Sequence, residues 1–376
     1  MALVAAESGV RAVGVRPATE PLGLWQSYRT ARRNVLELIP EIAYREPVLA
    51  GGKNPGWVMV TEPEALERVF KTRANAYIKS GVMKRLMRPR RGENLAIADH
   101  STARWQRRAM AAAFTPGAAE ACTPLISDAA EAAVRRIAKA APGRLDLYPE
   151  MVTTTCDVIC DIALSGREAV DRTLLADSVN AYIRDVARVS ILDLLGAPYW
   201  VPRPGEIVHG ARGRMDRLID GIIAQRRSRG PGEPPDFLDR LLAARDPETG
   251  QTLDALSLRN NLAGFLFAGH ETSALALTWA LYICAAAPAV QERAADEAQT
   301  ALGAGGEGLA GRLPYTKQII EEALRLYPPA GFLTRTAVEE DELAGRPVSP
   351  GMTVILPIFA LHRHARIWET PDIIDP

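Results

Sequence analysis

The chain has 376 residues, with 45 basic and 45 acidic side chains, 47% apolar residues and four cysteines. That balance is ordinary for a soluble globular protein and excludes a disordered or collagenous chain. A formal net charge of zero gives no global pull on nucleic acid or anionic lipid. Cys122, Cys156, Cys160 and Cys284 form no CxxC pair and are too sparse for a disulfide scaffold, which points to a reducing compartment.

Along the chain, residues 1–20 read as a short irregular segment, and the charges Glu7, Arg11 and Arg16 argue against a signal peptide. A strand is expected over 57–61. Helical periodicity then predicts helices over 63–72, 101–114, 117–140, 149–165, 172–195, 205–229, 254–287, 289–302 and 315–327. Two further strands are expected over 334–338 and 353–357. Breaks fall at 196–205, 229–235 and 303–311, where glycine and proline gather. The uncharged run 272–290 is long enough to span a membrane. It is alanine-rich, is broken by Pro288 and has no aromatic belt, so it reads as a buried helix of a soluble protein with no membrane anchor. The expectation is one mainly α domain over 1–376 with a small β portion.

Several motif-like patterns fail on context. Gly303-x-Gly305-x-x-Gly308 has the letters of a dinucleotide fingerprint, but a helical run precedes it and a proline-bearing loop follows. His270-Glu271 begins like HExxH, yet position 274 is alanine. Cys156 and Cys160 share a helical face and read as small core residues. Lys84, Arg85, Arg88, Arg90 and Arg91 lack interleaved aromatics, so no nucleic-acid partner is expected.

The segment FLFAGHETSA, 265–274, carries more. Its flanks are apolar, so His270, Glu271, Thr272 and Ser273 are expected to be drawn inward, where polar groups must be paired. Ala268 and Thr272 are four apart and share a face, while Gly269 beside them leaves room for a close approach to the backbone. A hydroxyl next to a carboxylate suits proton relay, and a local helix distortion at Gly269 would help. A small-residue helix crossing explains the segment equally well. Glu322 and Arg325 are three apart and can pair. Arg104, Arg107 and Arg108 put guanidinium groups on one helix, able to hold a carboxylate or phosphate.

Taken together and in this order, these segments resemble the cytochrome P-450 superfamily of haem-thiolate monooxygenases. Ala268-Gly269-His270-Glu271-Thr272 is similar to the family's oxygen-binding motif on its long central helix, and Glu322-Ala323-Leu324-Arg325 to its ExxR. Arg335, after Pro328-Pro329, resembles a haem-propionate arginine, as does Arg107, although the Trp or His usually four residues earlier is Ala103. The stretch His362-Arg363, Trp368 and Pro371-Asp372 resembles HRDPxxW, with His364-Ala365 in place of Asp-Pro.

The resemblance implies the P-450 fold, haem b, and insertion of one oxygen atom from O2 into a C–H bond of a small hydrophobic organic substrate. Glu271 and Thr272 would deliver protons, with Ala268 and Gly269 forming the groove on the oxygen face. Electrons would come from a ferredoxin or flavodoxin-type donor, steered by Arg104 and Arg108, as in soluble cytoplasmic bacterial members. The family's cysteine ligand is expected beyond Pro376, so no metal ligand is assigned in this chain. The fold is therefore expected to be incomplete at the C-terminus, in a fragment of a working enzyme or in a non-catalytic remnant unable to bind haem through a thiolate. Substrate contacts are expected from 77–95 and 181–199.

Overall fold

In this computed structural model the described residues are 9–52, 55–87, 92–140, 143–163, 211–233, 235–303 and 308–376, with isolated positions between 174 and 201. Arg88, Arg90, Arg91 and Gly305 lie outside them, as do the expected helix over 172–195 and the segment 181–199 but for isolated positions. The chain divides into two compact units, Ile78–Ala274 and Met1–Tyr77 with Leu275–Pro376.

The elements in chain order are helix Leu24–Arg33 (α1), strands Val48–Gly51 (β1) and Trp57–Val60 (β2), helix Pro63–Glu67 (α2) and strand Tyr77–Lys79 (β3). Helices Gly81–Met87 (α3), His100–Met110 (α4), Pro116–Glu120 (α5), Thr123–Ala140 (α6), Leu147–Ala163 (α7), Ala211–Arg229 (α8) and Phe237–Leu242 (α9) follow. The long helix Ala255–Ala286 (α10), then Pro288–Gly303 (α11) and Pro314–Leu326 (α12), lead into strands Leu333–Ala337 (β4), Asp341–Leu343 (β5), Arg346–Val348 (β6) and Thr353–Leu356 (β7). The short helix Ile358–Leu361 (α13) precedes the final segment.

The central α-helical unit is built around α10. Asp254 caps this helix by accepting the Ser257 N–H at 2.7 Å. Leu258, Leu262 and Leu266, spaced by four, form one stripe and are fully buried against Met110, Cys156, Cys160, Ile219, Leu238 and Leu241. Each such leucine contributes roughly 1.5–3 kcal/mol relative to exposure. The start of α7 is anchored to α6 by Arg136, which donates to Glu150 at 2.5 Å and to Thr154 at 3.0 Å. The helix expected over 117–140 is two helices, α5 and α6. Pro124 explains the break, because it lacks an N–H and its ring excludes the preceding residues from a continuous helix.

In the other unit, β2 runs parallel to β7, while β1–β2 and β4–β7 are antiparallel, giving the order β1-β2-β7-β4. Val58 pairs with Val354, and both are fully buried with Ala65 and Val69 of the adjoining helical turn. A second core joins Ile283 of α10, Val290 of α11 and Ile319, Ala323 and Leu326 of α12, with Trp279 stacked on Tyr327 at 3.8 Å. The uncharged run 272–290 is divided between α10 and α11, and no single helix among the described residues is long and apolar enough to cross a membrane.

Candidate active site

Four consecutive polar residues on a helix are spread over most of its circumference, at about 100° per residue. His270 is therefore fully buried, Glu271 is half-buried, and Thr272 and Ser273 are exposed, so only His270 of the four is drawn inside as expected. Helix α10 runs unbroken through Gly269; the expected distortion is absent. Instead the Thr272 hydroxyl donates to the Ala268 carbonyl oxygen at 2.6 Å, one turn back. Ala268 and Thr272 thus form an exposed face of small side chains on the helix. The space at Gly269 is taken by Ile159 of α7, whose Cδ1 would lie 2.9 Å from an added Cβ. Close helix packing is one local use of this glycine.

Glu271 is held from α7. The Tyr148 hydroxyl donates to its Oε1 at 2.7 Å. Burial, together with this bond to a carboxylate and its charge, pushes the Tyr148 phenol above its ordinary value. No sequence signal linked these two residues, which are 123 positions apart. On the buried side, the Cys156 and Cys160 sulfurs lie 3.8 Å apart in the core beside His270. The Cys160 contact, and then His270, pull the Cys156 thiol below its ordinary value against the effect of burial.

An apolar cavity of about 590 Å³ opens beside Ala268 and Gly269. Phe114, Phe237 and Phe265 line it in an edge-to-face trio with ring centroids 5.1–5.8 Å apart. Among the described residues, its lining includes none from 77–95.

On α4, Arg107 is exposed. Arg108 is not available to steer a partner, which corrects that expectation. Its Nε and Nη2 each donate to the buried Asp246 carboxylate at 2.7 Å, and Nη1 lies 3.1 Å from Glu248. Arg104 is exposed on the same helix.

In the mixed unit, Glu322 and Arg325 form a buried bidentate pair, Nε to Oε2 and Nη2 to Oε1, both at 2.6 Å. The rest of the guanidinium donates to the carbonyls of His362 at 3.1 Å, Pro371 at 2.8 Å and Ile373 at 3.0 Å. Glu322 accepts the Asp375 N–H at 3.0 Å, and Trp368 lies 4.6 Å from the guanidinium carbon. The pair therefore clamps the last described segment onto α12. Arg335 on β4 donates to the Thr334 carbonyl at 2.9 Å and lies over the Phe70 ring.

The profile of the cytochrome P450 family matches residues 51–376. The chain belongs to the cytochrome P450 family. It is 30% identical to cyclooctatin synthase of Streptomyces melanosporofaciens over 84% of this chain and 68% of that protein. It is 29% identical to cyclooctat-9-en-7-ol 5-monooxygenase of the same organism, over 85% of this chain and 69% of that one. A zebrafish cytochrome P450 structure with progesterone superposes with a TM-score of 0.76 at 18% identity, covering 95% of this chain and 84% of that one, and so shares the fold. The expected mainly α P450 fold with a small β portion is thereby established, as are the assignment as a haem-dependent monooxygenase and the cofactor, haem b.

The residues present suit part of a P450 haem site. The exposed Ala268–Thr272 face offers a flat group a surface without bulky side chains, and Arg107 offers an exposed guanidinium for a carboxylate. Cys156 and Cys160 are packed in the core, and burial raises the thiols of Cys122 and Cys284.

Proposed function

We propose that Glu271 and Thr272 are the proton-delivery pair of this monooxygenase, with Ala268 and Gly269 forming the groove beside them. The observation that carries this reading is the exposed face of Ala268 and Thr272, with the half-buried Glu271 carboxylate one residue away. Haem, when bound, supplies the oxygen-activating redox chemistry. The Thr272 hydroxyl donates to Ala268 O, which leaves its lone pairs free to accept a hydrogen bond from a water, and rotation about its C–O bond would turn its proton toward the groove. Arg107 and Arg335 would hold the propionates, and the Glu322–Arg325 clamp is structural.

Further elements of the reading are a small hydrophobic organic substrate, a ferredoxin or flavodoxin-type electron donor that meets Arg104, and a cytoplasmic, bacterial setting. The two compact units act as one catalytic domain. The bacterial relatives support this setting.

The test is the hydrogen peroxide released per O2 consumed by haem-loaded protein. Glu271→Gln and Thr272→Ala are expected to raise it and to lower product formation by about 100-fold or more. Unchanged coupling in both variants would overturn the assignment.

A further inference from the structure

We propose that Tyr148 is the positioning residue of the Glu271 carboxylate and its contact with solvent, so that protons enter the relay through its phenol. The proposal rests on the reading of Glu271 and Thr272 given above and extends it outward to α7. Tyr148 stands in the first turn of α7, with its side chain 37% exposed, and its hydroxyl donates to Glu271 Oε1 at 2.7 Å. One group therefore touches both water and the carboxylate.

The placement is fixed from two sides. The Tyr148 N–H donates to Asp146 Oδ1 at 3.1 Å, and the next turn is anchored to α6 by the Arg136 bonds to Glu150 and Thr154. The phenol is thus presented from a pinned helix start, while Glu271 is presented from the middle of a packed helix. A carboxylate side chain with three rotatable bonds is narrowed to the rotamers that keep this bond.

The chemistry balances without any ionised tyrosine. A phenol has one donor and two acceptor sites. With its proton directed at Glu271, its lone pairs can accept a proton from a surface water as its own proton passes to the carboxylate. With a protonated water at the surface as donor, Glu271 gains one proton, the hydronium becomes water, and Tyr148 ends neutral; rotation of the hydroxyl resets it. The elevated pKa of Tyr148 keeps the phenol protonated at neutral pH.

The test uses Tyr148→Phe, which keeps the ring and removes the hydroxyl, alongside Glu271→Gln and the double variant. Without haem, unfolding midpoints in urea form a double-mutant cycle. The two single changes are expected to be non-additive, the double variant falling no further than the more destabilised single one; additive midpoints would overturn the tether. With haem, Tyr148→Phe is expected to lower coupled turnover on the order of 10-fold, less than loss of a direct proton donor. KM should stay unchanged, peroxide release should rise and the solvent deuterium isotope effect should grow. A Tyr148→Phe protein with the parent's peroxide fraction and isotope effect, beside an uncoupled Glu271→Gln, would sink the role of Tyr148 alone. If Glu271→Gln itself stays fully coupled, the relay reading falls and the role of Tyr148 in it falls too, even where the midpoint cycle shows the tether.

Discussion

Arg325 illustrates how much a single side chain does when it is buried and fully used. It gives two hydrogen bonds to Glu322 and three to main-chain carbonyls at 362, 371 and 373, and it rests against Trp368. A lysine carries the same charge but has no planar fork, so it cannot serve both the carboxylate and the carbonyls. Arg325→Lys is expected to cost about 3–5 kcal/mol, because it leaves Glu322 buried without its bidentate partner. Urea unfolding followed by tryptophan fluorescence reads this, and a loss near 1 kcal/mol, the scale of a surface pair, would contradict it. The sequence showed the two residues of this pair through their spacing. It could not show the carbonyls they hold, since every residue type has a carbonyl. Tyr148 and Glu271 were illegible as a pair for a related reason: their contact depends on how α7 lies on α10, and neither helix encodes that alone.

At the scale of elements, long periodic segments were the most legible. Helix α10 begins and ends within a residue of the expected 254–287, because a long apolar run is stopped by Asp254 at one end and Pro288 at the other. Short elements escaped. Helix α9 has six residues, too few for periodicity, although Asp236 and Asp239 form a capping box that marks its start. The β5–β6 hairpin escaped because its strands of three residues carry exposed charged side chains, and its turn is Ala344-Gly345 rather than Asn-Gly. Both turn residues have positive φ, 48° and 75°, the combination a two-residue type I′ turn requires. Glycine adopts this readily, whereas alanine is strained by its Cβ. Ala344→Asn is therefore expected to stabilise the protein by roughly 0.5–1 kcal/mol. An unchanged or lower unfolding midpoint would show that the strain at this position is relieved in some other way.

Across the whole molecule, the zero net charge at neutral pH conceals two acid-sensitive clamps, one in each compact unit. In each, an arginine holds the carboxylate of an aspartate far along the chain: Arg68 with Asp341, 273 positions apart, and Arg108 with Asp246, 138 apart. Burial alone would push the Asp341 carboxyl upward. The Arg68 guanidinium, the Tyr77 hydroxyl and the Glu342 N–H outweigh it and hold the group at about 2, below its ordinary 3.8. The bonds from Arg108 hold Asp246 below the usual carboxylate range as well. A carboxyl whose folded pKa is depressed contributes stability that is fully present above its unfolded pKa and is lost as pH falls toward the folded one. For Asp341 that window runs from 3.8 down to about 2. Over the same range the other carboxylates lose their charge and 45 basic groups remain, so self-repulsion adds to the loss. The parent protein is therefore expected to lose unfolding midpoint steeply through this window. Asp341→Asn should begin with a lower midpoint at neutral pH and show a shallower fall, read from the fluorescence of Trp57 in the same unit. Asp246→Asn should do the same for the unit containing Trp105. If either variant kept the parent's slope below pH 3.8, the clamp it removes would not be the source of that unit's acid lability.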